Sequence, residues 1–132
     1  MQKGFFEAND YQTHPQTKRK YREIPIFDRK NHPLRIWMFG QVIPKDKSKV
    51  RHYEVGRLVW GQQSDSPEKV MIIEELQWED GRKELRFCYR ILTHKTGAWH
   101  WGQYALMTPR SDIEEMLSLA AEKGMLSLKS HP

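Results

Sequence analysis

The sequence predicts an α+β fold: a mostly antiparallel sheet of about five strands with one C-terminal helix packed on one face. Three observations predict it. Runs rich in β-branched and aromatic residues recur from Leu34 to Met107, each closed by Gly, Pro or polar residues. An Asp80-Gly81 pair separates two of these runs, which is a hairpin signal. One amphipathic helical stripe, with start and stop residues, follows the last run.

Residues 1–33 hold Pro15, Pro25 and Pro33 and the basic cluster Lys18, Arg19, Lys20 and Arg22, without sustained periodicity. They are expected to form a mobile, largely irregular basic arm, with Ile24–Phe27 the one segment able to dock on a core. A single α+β domain then spans 34–126, and 127–132 is a tail. The first strand, LRIWMFGQVI, stops at Pro44, and a basic polar loop follows to Lys49. VRHYEVGRLVWG is the second strand and QQSDSPE a linker. VMIIEELQW is the third strand and KELRFCYRIL its return. THKTG makes a turn into the fifth strand, AWHWGQYALM.

The helix is the best-marked element. Ser111 and Glu114 have the spacing of a capping box, in which each side chain bonds the other's backbone N–H. Asp112, Glu114 and Glu115 crowd the first turn, where the helix dipole favours acids. Ile113, Met116, Leu117 and Ala120 make the buried stripe, and Gly124 supplies the left-handed stop after Lys123.

A two-residue type I′ turn at Asp80-Gly81 fixes a register in which Leu76 faces Leu85 and Ile72 faces Tyr89. One face then carries Val70, Ile72, Leu76, Trp78, Leu85, Phe87, Tyr89 and Ile91, with Glu74 as a misfit. This is the expected core face, under the helix. The other is expected to be open and carries Met71, Ile73, Glu75, Gln77, Glu84, Arg86, Cys88 and Arg90, with Glu75 and Arg86 as a cross-strand ion pair. A turn centred on Lys95 sets Trp99 beside Ile91 and Trp101 beside Tyr89, in the core, where each would bury roughly 150–250 Å² at about 25 cal/mol per Å². His100 and Tyr104 fall beside Arg90 and Arg86 on the open face. A four-residue loop at this turn reverses the arrangement.

The net charge of +5 is uneven. Residues 1–34 hold seven Lys/Arg against four Asp/Glu, 35–62 hold six against two, and 63–132 hold nine against eleven. A basic first half points to a polyanionic partner, nucleic acid first. The open-face residues Arg86, Arg90, His100 and Tyr104 suit it, because arginine clamps phosphates and aromatic planes stack on unpaired bases. The loop residues Lys45, Lys47, Lys49 and Arg51, with Lys18, Arg19, Lys20 and Arg22 of the arm, would add phosphate contacts that position without reading sequence.

Other chemistries lack their residues. The six histidines show no metal-ligand spacing, and no phosphate loop, nucleophile elbow or paired catalytic acids occur, so no cofactor, metal or enzymatic reaction is expected. Arg86 and Arg90 beside Cys88 could lower its pKa, but a lone cysteine with no partnering motif is more often structural, and it fits a reducing cytosol. No apolar run approaches the ~20 residues of a membrane span, and the N-terminus lacks a signal-peptide core. An aromatic-Gly-Gln triplet occurs at Phe39, Trp60 and Trp101, which could line a shared groove.

The resulting expectation is a cytoplasmic, non-enzymatic protein that binds single-stranded DNA or RNA through an open sheet face, a basic loop and a basic arm. The second expectation is a protein-interaction adaptor or homodimer in which Met71, Ile73 and Cys88 of that face meet another chain.

Overall fold

The computed structural model describes residues 4–39, 53–93, 98–102 and 105–128. The fold is α+β, with eight strands in antiparallel sheets and one C-terminal helix. In chain order the strands are β1 (Phe5–Glu7), β2 (Gln12–Thr13), β3 (Lys20–Phe27), β4 (Pro33–Phe39), β5 (Tyr53–Gln63), β6 (Ser66–Trp78), β7 (Lys83–Thr93) and β8 (Ala98–Trp101). The helix α1 spans Arg110–Glu122. A five-stranded sheet has the order β1-β5-β6-β7-β8, and a three-stranded sheet the order β2-β3-β4.

The N-terminal segment is therefore not largely irregular. Ile24 and Ile26 alternate on β3 and pair with Ile36 and Leu34 of β4 across a turn closed by Asp28, whose carboxylate accepts the N–H groups of Lys30 and His32 at 2.9 and 2.8 Å. This hairpin turns Ile24, Ile26, Ile36 and Met38 inward onto Val55, Leu58, Trp60, Val70, Ile72 and Leu76 of the larger sheet. On the opposite face, Met116 and Ala120 of α1, with Met125 beyond it, pack on Val59, Met71 and Ile73. The central strand β6 is thus buried on both sides, and the molecule has three layers: small sheet, large sheet, helix.

Two hairpins differ from the sequence reading by one residue. Trp78 donates its N–H to Arg82 at 2.9 Å, and Gly81 closes on Trp78 at 3.0 Å with φ +90°. This is a three-residue loop, a type I turn followed by a left-handed Gly81, rather than a type I′ turn with positive φ at Asp80 as well. Leu76 now faces Glu84, Ile72 faces Cys88 and Ile73 faces Phe87. Every β7 side chain moves to the other face. The partner of Arg86 is accordingly Glu74, not Glu75. The pairing of Thr93 with Ala98 leaves four residues between β7 and β8, so Trp101 sits beside Arg90 and His100 beside Ile91.

The expected linker is a tight hairpin instead. Gln63 pairs with Ser66 across Ser64-Asp65. It extends both strands because the buried Gln62 amide is satisfied there: it donates to the carbonyls of Phe27 and Pro67 (2.5 and 2.7 Å) and accepts from Phe27 N–H (3.1 Å). One amide so clasps the two sheets.

The helix cap lies two residues before the expected one. Pro109 is the N-cap, no side chain caps the helix, and the Ser111/Glu114 box does not form. Asp112 accounts for this. It is buried and accepts Ser64 N–H at 2.8 Å, tying the first helical turn to the β5–β6 hairpin. The stop matches expectation: Gly124, at φ +79°, donates to Ala121 (3.0 Å), and Met125 donates to Ala120 (2.9 Å). These are the two bonds of a Schellman motif, with Met125 buried as its apolar closure.

Candidate nucleic-acid interface

The face of the large sheet that meets the small sheet is apolar over β5 and β6 and turns polar over β7. Glu74, Arg86, Cys88 and Arg90 follow Val70 and Ile72 across the ladder on this face. Arg86 and Arg90 are therefore not on an open sheet face. They lie on the face that the small sheet covers at β5 and β6, and both are partly buried there.

Glu74 is only 1% exposed. Its carboxylate accepts Arg86 Nη2 at 2.5 Å and the Cys88 thiol at 3.6 Å, while Arg86 Nη1 donates to the Tyr53 hydroxyl at 3.0 Å. The misfit of the sequence reading is the anchor of an arginine cluster. Burial draws the Arg86 pKa down, but the bonds and charge of Glu74 and the Tyr53 hydroxyl outweigh it, leaving a net rise. Arg90 is different. Among the described residues it has no carboxylate within bonding distance, and burial, aided by the nearby Arg86 charge, lowers its pKa. The Nε atoms of both arginines are buried without a hydrogen-bond partner.

Trp101 completes the cluster. Its ring lies 4.3 Å from the Arg90 guanidinium carbon and 5.7 Å from that of Arg86, and the residue is 47% exposed. Such stacking holds a guanidinium against an aromatic plane without a counter-ion. Trp101, expected in the core, is the exposed member of the site.

The remaining candidates divide. Arg22 is 7% exposed on the inner face of the small sheet. Its guanidinium stacks 3.9 Å from the Tyr11 ring centroid, Nε donates to the Asn9 carbonyl at 2.8 Å, and Nη1 is buried without a partner. Glu74 and Arg22 both act electrostatically on Tyr11, so Arg22 belongs to the inter-sheet polar end rather than to a mobile arm. Lys18, Arg19 and Lys20 are exposed around the β2–β3 turn, where Lys18 takes φ +60°. His100 is exposed but falls beside Ile91 on the helix-side face, away from Arg90. Tyr104, Lys45, Lys47, Lys49 and Arg51 lie outside the described residues.

Three other readings are altered or sharpened. Cys88 is not an activated thiol: burial, then the Glu74 charge, pushes it up to about 12 against the opposing pull of Arg86 and Arg90. Iodoacetamide at pH 8 is expected to label Cys88 much more slowly in the native chain than in urea. Equal rates would contradict this burial. Met71 and Ile73 are core residues, not an open apolar patch. The Trp60 and Trp101 members of the aromatic-Gly-Gln triplets do not share one groove, because β5 and β8 are separated by β6 and β7, while Gly40, Gln41 and Gln103 lie outside the described residues. A Cβ at Gly61 would stand 2.2 Å from the Phe5 ring and one at Gly102 2.0 Å from the Tyr89 ring. These glycines admit the protein's own aromatics rather than a ligand.

No family model, curated protein or solved structure matches the chain. Among the described residues no group of His, Cys, Asp and Glu is arranged to hold a metal, and no helix is long and apolar enough to cross a membrane.

Proposed function

We propose that this chain binds single-stranded nucleic acid, with Arg86, Arg90 and Trp101 as the contact site. One observation supports this above the rest. A half-exposed indole is backed by a guanidinium that has no carboxylate partner among the described residues. An unpaired base can stack on the indole while its phosphate meets Arg90, whereas a duplex keeps its base faces covered. Glu74 holds Arg86 in place beside the ring, and Arg90 gives the cluster of two arginines and one carboxylate a net positive charge. The exposed Lys18, Arg19 and Lys20 turn and the overall +5 charge would add salt-sensitive phosphate attraction. The adaptor alternative loses its proposed patch with the burial of Met71 and Ile73.

Anisotropy of a labelled mixed-sequence single strand at 50 mM salt tests the reading. Trp101→Ala is expected to weaken binding roughly 5- to 150-fold, the equivalent of about 1–3 kcal/mol for one stacked base. Affinity should fall with salt, at about 0.7 log units per log unit of salt for each phosphate contact. Absence of binding at 50 mM salt, or affinity unchanged in Trp101→Ala, would overturn it.

A further inference from the structure

Among the described residues the outer edge of β7 is covered along only part of its length. β8 pairs with Arg90–Thr93, and Gly102 N–H donates to the Tyr89 carbonyl at 2.8 Å. Among the described residues nothing pairs with the edge from Lys83 to Cys88. The alternation of the ladder says which groups are at stake. Arg82 directs its carbonyl to Trp78 of β6, and Tyr89 directs its carbonyl away from β6 to Gly102. Odd-numbered residues of β7 thus present their backbone outward, and the groups without a partner among the described residues are the N–H and C=O of Lys83, Leu85 and Phe87.

The opposite edge of the sheet is handled differently. Beyond the short β1, Ala8 N–H bonds Leu58 at 2.8 Å and the Tyr11 hydroxyl bonds Val55 at 2.7 Å, so β5 is occupied past its strand partner. The β7 segment has no proline or bulge to protect its edge; its protection is limited to the charged Lys83, Glu84 and Arg86. It also carries Phe87, 52% exposed.

From this edge we infer that a second copy of the chain pairs with it, β7 against β7, about a two-fold axis at Leu85. The register follows from the backbone and the charges. Centring on Leu85 sets Leu85 opposite itself and Lys83 opposite Phe87 as hydrogen-bonded pairs, which satisfies all the open groups and stops short of the occupied Tyr89 carbonyl. It also sets Glu84 opposite Arg86 twice, as close non-hydrogen-bonded pairs of opposite charge. Centring on Phe87 would require the Tyr89 carbonyl, and would place Arg86 against Cys88. Phe87 would lie against the aliphatic stem of the opposing Lys83, on the same face as the Leu85 pair. Such an axis is normal to the sheet, so each face continues across the joint and both Arg86–Trp101 clusters share one side. The inference does not depend on the nucleic-acid reading.

Sedimentation equilibrium of the full chain tests it, with mass rising toward a dimer by about 100 µM. Glu84→Arg and Phe87→Lys, at exposed positions, are each expected to raise the dimer dissociation constant about tenfold or more, because each brings like charges together. In a Cys88→Ser background, Leu85→Cys should form an intermolecular disulfide on mild oxidation, since opposed Cα atoms in such a pair lie about 5.5 Å apart. Glu79→Cys, in the hairpin loop, should not. A monomer at every concentration, or a dimer that neither charge variant weakens and Leu85→Cys does not cross-link, overturns the inference.

Discussion

Glu74→Ala is expected to lower the free energy of unfolding by about 3 kcal/mol, read as a shift of the urea midpoint at unchanged slope. The carboxylate is 1% exposed on the central strand and answers Arg86 and Cys88 together. Removing it leaves the Arg86 guanidinium with the Tyr53 hydroxyl as its hydrogen-bond partner among the described residues, and with an Nε already lacking one. The Arg86 side chain is one-third exposed, 34%, so it can turn partly to water, which keeps the loss at the lower end of the range for a broken buried pair. Glu74→Leu combined with Arg86→Met should recover most of the stability, because it removes both charges and fills the space. A loss below about 1 kcal/mol in Glu74→Ala would mean that the pair does not anchor the cluster.

Ile73→Ala and Phe87→Ala form the second test, measured in dilute protein. The two residues are direct cross-strand partners on one face, yet one is 0% and the other 52% exposed. Ile73 lies beneath Met116 and Ala120, and its truncation is expected to cost about 3–4 kcal/mol through lost burial and the cavity left behind. Phe87 has half its surface in water already, and its truncation should cost about 1 kcal/mol or less. The contrast locates the helix on the β1, β5 and β6 side of the sheet rather than over β7. Costs in the reverse order would contradict both the β6–β7 register and the position of α1.

The strand runs, the helix and its Gly124 stop were legible because each has a local physical cause. Register was not, because it depends on a single backbone angle. Asp80-Gly81 suits a two-residue turn and equally a three-residue loop with only Gly81 left-handed, and the second was adopted. That one-residue change reversed β7, and the longer interval before β8 reversed the ladder again. The two shifts cancel for Trp101, which stays on the Val70 and Ile72 face but meets arginines there instead of Tyr89. A further signal was available in VMII. Four consecutive apolar residues do not alternate, as they should if one sheet face were open, so they mark a strand covered on both sides. The second cover came from Ile24 and Ile26, whose alternation is too short to stand out within a basic, proline-containing segment. Of the arginine cluster, Arg86 and Arg90 were legible as charges on one strand. The role of Trp101 was hidden by the same register, and that of Glu74 by its adjacency to Glu75.

The pairing of β1 with β5 also has a consequence in time. Phe5 lies against Gly61, so the first strand made has its partner synthesised 56 residues later. At a translation rate of about 5–20 residues per second, that is a delay of roughly 3–11 s. The β3–β4 hairpin joins neighbours in the chain and can close as soon as it emerges, but its Ile24 and Ile26 face has no sheet to cover until β5 and β6 follow. The β3–β4 hairpin is therefore made with one apolar side ahead of the strands that cover it, and the basic residues around it add like-charge repulsion between chains in that interval.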